Sequence, residues 1–143
     1  MPSETRSFAI QGRSDVVVAG SQGRRFAVRH GFDVRRATEL AIVVSELASN
    51  IVKHGVRGEI RLLWNSETGE IAVEAHDVGP PIHDMQLAMT DGYDDRGPID
   101  PALILRRGGL GTGLGAVARL ADRLEYREEE GGGKVLTAWF VAR

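Results

Sequence analysis

Four polar side chains within ten residues have the types and spacing to do chemistry together. In the run Ser45-Glu46-Leu47-Ala48-Ser49-Asn50-Ile51-Val52-Lys53-His54, Asn50 follows Glu46 by four positions, and Lys53 and His54 follow Asn50 by three and four. At roughly 100° per residue these positions share one stripe of a helix. An acid, an amide, an ammonium and an imidazole then project together, with Val44, Leu47, Ala48 and Ile51 towards the other side. Amide and carboxylate oxygens suit Mg²⁺, which takes few protein ligands and keeps waters for substrate phosphates. A polar stripe opposite an apolar one is also what any amphipathic helix shows. The segment by itself leaves both readings open, and His54 carries no role of its own.

Three further clusters follow. Asp77 stands in His76-Asp77-Val78-Gly79-Pro80-Pro81-Ile82, where a strand ends and the chain must turn. A carboxylate there can accept a hydrogen bond from an exocyclic amine such as N6 of adenine, and Gly79 would let backbone approach a flat ring. An Asx turn with glycine and proline as breakers accounts for the same residues. Gly108-Gly109-Leu110-Gly111-Thr112-Gly113-Leu114-Gly115 runs into a helix. Exposed backbone N–H groups at such a start bind phosphate without a cationic side chain. No Gly-Lys-Ser/Thr follows, so it is not a Walker A loop, and the chain lacks the alternating β-α units of a dinucleotide fold. Gly131-Gly132-Gly133 and Thr137 form the last cluster, ordinary for a hairpin and a strand.

The elements that must position these residues are legible from periodicity and breakers. Ser7 to Gln11 reads as a strand, and Ser14 to His30 as a helix weakened by Gly20 and Gly23 and stopped by Gly31. Asp33 caps a second helix that keeps its spacing up to Gly55. Glu59–Trp64 and Glu70–Ala75 are strands joined by a hairpin at Asn65–Gly69; Asp84–Met89 is a short helix, and Thr90–Gly109 is irregular. A loop from Gly111 enters a helix ending near Asp122, and Arg123–Glu128 and Lys134–Ala142 close the chain as strands. The fold class predicted is α+β: a two-layer sandwich with helices on one face of a mixed, mostly antiparallel sheet.

Bulk properties narrow the function. The 143 residues make one domain, 1–143, large enough for a real core. A net charge of −2 points to neither nucleic acid nor membrane, and without cysteine there is no disulfide or thiolate metal site. No signal core or membrane-length apolar run is present, so the expected location is cytoplasmic. Lysine and arginine total 18, and only Lys53 and Lys134 are lysine, which leaves 16 arginines and makes Lys53 beside Asn50 noticeable.

The order of the motifs says more than any one of them. Glu46-x-x-x-Asn50, Asp77-x-Gly79, Gly111-x-Gly113-x-Gly115 and Gly133-x-x-x-Thr137 resemble, over nearly the whole chain, the nucleotide-binding boxes of the GHKL superfamily. Ser45 to Ile51, Ala88 to Tyr93 and Gly109 to Asp122 are similar to the small bacterial serine/threonine kinases of anti-sigma and stressosome systems, of the RsbT type. The resemblance implies the GHKL sandwich, with ATP and Mg²⁺ as cofactors. It implies that Asn50 holds Mg²⁺, that Glu46 acts as base or orients the attacking hydroxyl, and that Lys53 reaches phosphate. Asp77 would read adenine, with Gly79 beneath the ring and Thr137 assisting. Gly109, Leu110, Gly111, Thr112, Gly113, Leu114 and Gly115 would form the lid hinge and phosphate cradle. Pro81 stands where a second glycine is usual, and Asp94 to Arg107 makes the lid longer than in the RsbT type. The implied substrate is a STAS-domain anti-anti-sigma or stressosome scaffold protein, with a sigma factor or a PP2C-type phosphatase downstream. The alternative is a non-catalytic ATP-binding module that sequesters a sigma factor or activates a phosphatase.

Overall fold

Strand alternation and helical periodicity build two layers in the computed structural model, which describes residues 3–54, 57–78, 93–94, 97–98 and 113–142. In chain order these are β1 (Glu4–Ile10), α1 (Arg13–Arg29), α2 (Val34–His54), β2 (Gly58–Asn65), β3 (Glu70–Asp77), β4 (Tyr93–Asp94), β5 (Gly97–Pro98), α3 (Leu114–Leu120), β6 (Arg123–Glu128) and β7 (Lys134–Val141). Five strands form one sheet in the order β1-β2-β3-β7-β6, and β4 and β5 pair separately. The expected α+β sandwich forms. Each pairing among the described strands is antiparallel, a narrower result than the mixed sheet expected.

Local chemistry sets the helix ends. Asp33 caps α2 as expected: its Oδ1 accepts the Arg36 N–H at 2.7 Å. Gly31 takes φ 90°, the Gly31 N–H bonds Val28 O at 3.1 Å, and the Phe32 N–H bonds Ala27 O at 3.0 Å. That paired pattern is the Schellman stop of α1. Gly20 and Gly23, poor in a helix by propensity, have a packing reason. A Cβ at Gly20 would meet Ser45 Oγ at 2.6 Å, and one at Gly23 would meet Val44 Cγ2 at 3.0 Å. The two helices approach closely because those side chains are missing.

The core lies between the layers, with Phe26, Leu40, Val44, Leu47 and Ile51 from the helices against Ile60, Leu62, Ile71, Val73 and Phe140 from the sheet. Leu114 and Val117 bring α3 into the same cluster. At one end of the sheet Glu4 accepts hydrogen bonds from Arg29 at 2.6 Å and His30 at 2.8 Å. The His30 bond first, then Arg29, holds the Glu4 carboxyl below the usual carboxylate range. The candidate site is at the opposite end.

Candidate nucleotide-binding site

Period-two alternation decides where Asp77 points. Ile71, Val73, Ala75 and Asp77 are the buried positions of β3, so Asp77 is the last side chain on the helix-facing side. Across the sheet, Asp77 pairs in register with Lys134, Ala75 with Leu136, Val73 with Ala138 and Ile71 with Phe140. Lys134 therefore shares Asp77's face. Its Nζ donates to Asp77 Oδ1 at 2.7 Å, and each side chain is only 7% exposed.

Two glycines let the backbones close around this pair. Gly133 adopts φ 103°, and a Cβ there would lie 2.9 Å from Asp77 O. At Gly58 a Cβ would lie 2.2 Å from His76 O, and 3.0 Å from both Asp77 Cβ and Ile51 Cγ2. The Gly58 gap is where β2, β3 and the last turns of α2 converge, and it sets the turn holding Asn50 near the end of β3. Gly58→Ala is therefore expected to destabilise by about 1–3 kcal/mol, since the obstructing atom is backbone. It should also weaken ATP binding in the folded protein, because the displaced strand end carries Asp77. Thermal melts with calorimetry at a temperature where the variant is folded check this; an unchanged melting point and affinity would show that the strands separate freely.

On α2, Val43, Val44, Leu47, Ala48 and Ile51 are buried in the core. Glu46 and Asn50 are half-buried and Lys53 is exposed. The polar stripe is real, and it borders the sheet end that carries Asp77. An amide oxygen at a half-buried position is a hard donor of the kind Mg²⁺ accepts, so Asn50 fits the metal that the sequence implies. At the start of α3, Gly113 takes φ 76° and ψ −145°, a conformation that glycine reaches without strain. Leu114 and Gly115 are buried behind it. Gly79, Pro81, Gly109, Leu110, Gly111 and Thr112 lie outside the described residues, as do the segment Asp84 to Met89 and most of 90–109.

Thr137 is not brought to Asp77. It pairs with Glu74, and with Val135 and Trp139 it belongs to the face turned away from the helices. Lys134 occupies the place expected of Thr137. A cavity of about 360 Å³ opens at the same sheet end, lined by Ala9, Glu59, His76, Glu129 and Gly132 among others. Ala9, Glu59 and His76 belong to that far face by register, and Asp77, Gly58 and Gly133 also line the cavity, so it wraps the strand end that carries Asp77. Sequence reasoning missed Lys134 and Gly58 as site residues, and it named Gly133 only as a hairpin glycine and a motif partner of Thr137.

Residues 14–139 match the histidine kinase-like ATPase domain. Over 126 residues the chain is 31% identical to the serine/threonine-protein kinase RsbT of Bacillus subtilis (strain 168), covering 87% of this chain and 86% of RsbT. Its fold is similar to one in the SiaB–SiaC complex from Pseudomonas aeruginosa, with a TM-score of 0.65 at 17% identity over 96% of this chain and 88% of that one. It is also similar to the structure of RsbU and RsbW domains from Mycobacterium tuberculosis, with a TM-score of 0.62 at 14% identity over 100% of this chain and 34% of that one. These two likenesses bear on fold; the domain match and the RsbT relationship bear on descent. A carboxylate closing β3, an acid–amide stripe on α2 and a helix starting in a glycine run are thus set within a matched domain that spans nearly the whole chain, which belongs to the histidine kinase-like ATPase family.

Proposed function

We propose that this protein is an ATP-dependent serine/threonine-protein kinase of a partner-switching system, transferring the γ-phosphoryl group to a Ser or Thr hydroxyl of a STAS-domain partner. The kinase assignment rests on family membership and on the relationship to RsbT over most of both chains. The observation that carries the site is the convergence at Gly58, which holds the Asp77 end of β3 against the α2 turn that follows Asn50.

In this reading Asp77 accepts a hydrogen bond from the adenine N6 amine. Asn50 holds Mg²⁺, Lys53 contacts phosphate, and Gly113 to Gly115 with the preceding glycine run surround the phosphates. The metal, when bound, neutralises charge on the phosphates. Glu46, one helical turn before Asn50, takes the proton of the incoming hydroxyl or orients it. Phosphoryl transfer depends mainly on positioning and on stabilising developing charge, so a small domain suffices. The product gains close to two negative charges, enough to break or remake a protein interface. The released or recruited protein would be a sigma factor or a PP2C-type phosphatase, in the cytoplasm. Among the described residues no helix is long and apolar enough to cross a membrane.

Incubation with γ-labelled ATP and candidate STAS proteins should label a Ser or Thr on one of them; ATP binding without transfer to any would overturn the substrate class. Asp77→Asn should weaken ATP binding by about 10- to 150-fold, the size of a hydrogen bond to a charged group. Equal affinities by calorimetry would remove the adenine assignment.

A further inference from the structure

We propose that Lys134 reads the base together with Asp77: its ammonium donates a hydrogen bond to a ring nitrogen beside the exocyclic amine that Asp77 accepts. This rests on the adenine role of Asp77 proposed above.

Three observations carry it. The chain uses arginine at 16 of 18 basic positions (18 less the two lysines), and both lysines, Lys53 and Lys134, fall at the candidate site. Lysine here is a departure from the chain's own habit. Second, the pair is buried, 7% exposed on each side with 2.7 Å between Nζ and Oδ1, at the end of a strand face otherwise made of Leu136, Ala138 and Phe140. A buried ion pair is a weak source of stability, and apolar replacements of similar volume are often as stable or more so. Lys134 is the counter-charge of Asp77, and stability alone does not favour a charged pair over apolar residues at this strand end. Third, Gly133 brings β7 so close to Asp77 that a Cβ would lie 2.9 Å from Asp77 O, which fixes where Lys134 begins.

The chemistry of the pair selects its ligand. A carboxylate only accepts and an ammonium only donates, the latter through three N–H groups. Their mutual bond is compatible with each also reaching a base. Adenine offers the complementary set side by side: the N6 amine donates, and the neighbouring ring nitrogens accept. Guanine in the same pose sets its O6 acceptor against the carboxylate, an acceptor facing an acceptor. Lys134 thereby adds an attractive contact for adenine, while Asp77 supplies the repulsive one against guanine.

The experiment measures binding of ATP, 1-deaza-ATP, 7-deaza-ATP, the purine riboside triphosphate lacking the amine, and GTP to the full chain. Wild type should bind one of the two deaza analogues about 10- to 150-fold more weakly than ATP, and Lys134→Met should bind that analogue and ATP within about twofold. If wild type binds both deaza analogues as it binds ATP, the proposal is overturned. It is overturned equally if Lys134→Met discriminates as wild type does, which is what a purely structural lysine would give. Where Lys134→Met fails to fold, the wild-type series still decides, and Lys134→Arg, which keeps the charge but spreads it over a planar fork, should change the discrimination ratio. The amine-lacking analogue separates the two assignments: if wild type binds it as tightly as ATP, the adenine role of Asp77 fails whatever the deaza series shows.

Discussion

Glu46→Gln is expected to bind ATP as wild type does and to lose phosphoryl transfer by about 10²–10⁴-fold. Glutamine keeps the length and hydrogen-bonding reach of glutamate but cannot take a proton. Glu46 is half-buried on α2, one turn before Asn50 and off the core face formed by Val43, Leu47 and Ile51. Replacing it leaves that packing untouched, and an unchanged melting temperature would show that a loss of rate is chemical and not a consequence of unfolding. Single-turnover transfer to a STAS partner, with ATP affinity measured separately, reads the two effects apart. Transfer at the wild-type rate would mean that positioning and charge stabilisation alone drive the reaction and that the carboxylate is no base. A parallel loss of ATP affinity would move Glu46 from catalysis to nucleotide binding.

How much of this was readable before folding differs from residue to residue. The stripe on α2 was legible because its opposite face is uniformly apolar, so the helical period was unambiguous. Asp77 was placed at a strand end, and its inward orientation follows from counting by twos from Ile71, Val73 and Ala75. β7 defeats the same count. In Lys134-Val135-Leu136-Thr137-Ala138-Trp139-Phe140-Val141 both alternate sets are mostly apolar, and residues 134 to 138 are all buried. Nothing local says which set faces the helices, and a one-residue difference in register exchanges the two faces. Lys134 rather than Thr137 reaches Asp77 because the β3–β7 register sets Asp77 opposite Lys134 and Glu74 opposite Thr137, a long-range pairing that no local signal in β7 announces. Gly58 was equally opaque. It reads as punctuation before a strand, while its reason is a backbone oxygen eighteen residues further on.

Arg36→Met is expected to cost about 3 kcal/mol of stability, the low end for breaking a buried ion pair, because Asp122 keeps 21% exposure against 6% for Arg36. In sequence Arg36 is one of two adjacent arginines in the first turn of a helix, where a cation opposes the helix dipole and a solvated side chain is the natural reading. Long-range contacts override that. Its guanidinium donates to Leu120 O at 2.8 Å, to Val141 O at 3.1 Å, to Glu39 Oε1 at 3.3 Å and to the Asp122 carboxylate, and it lies over the Phe140 ring at 4.8 Å. One side chain thus ties the start of α2 to the end of α3 and the end of β7. Asp122 completes the knot by accepting the Val141 N–H at 2.8 Å. Methionine matches the length and keeps the contact with Phe140, but it leaves two carbonyls and two carboxylates without this donor. For a chain of this size that stability loss lowers the melting temperature by about 10 °C, and a shift under about 2 °C would show that water replaces the guanidinium without cost. Because α3 starts at the glycine run and is held at its far end by Arg36, the folded variant should also bind ATP less tightly. Arg36→Lys retains the charge but cannot reach all four acceptors, so it should fall between wild type and Arg36→Met on both measurements. If it instead matches wild type, the charge alone anchors α3 and the planar fork is dispensable.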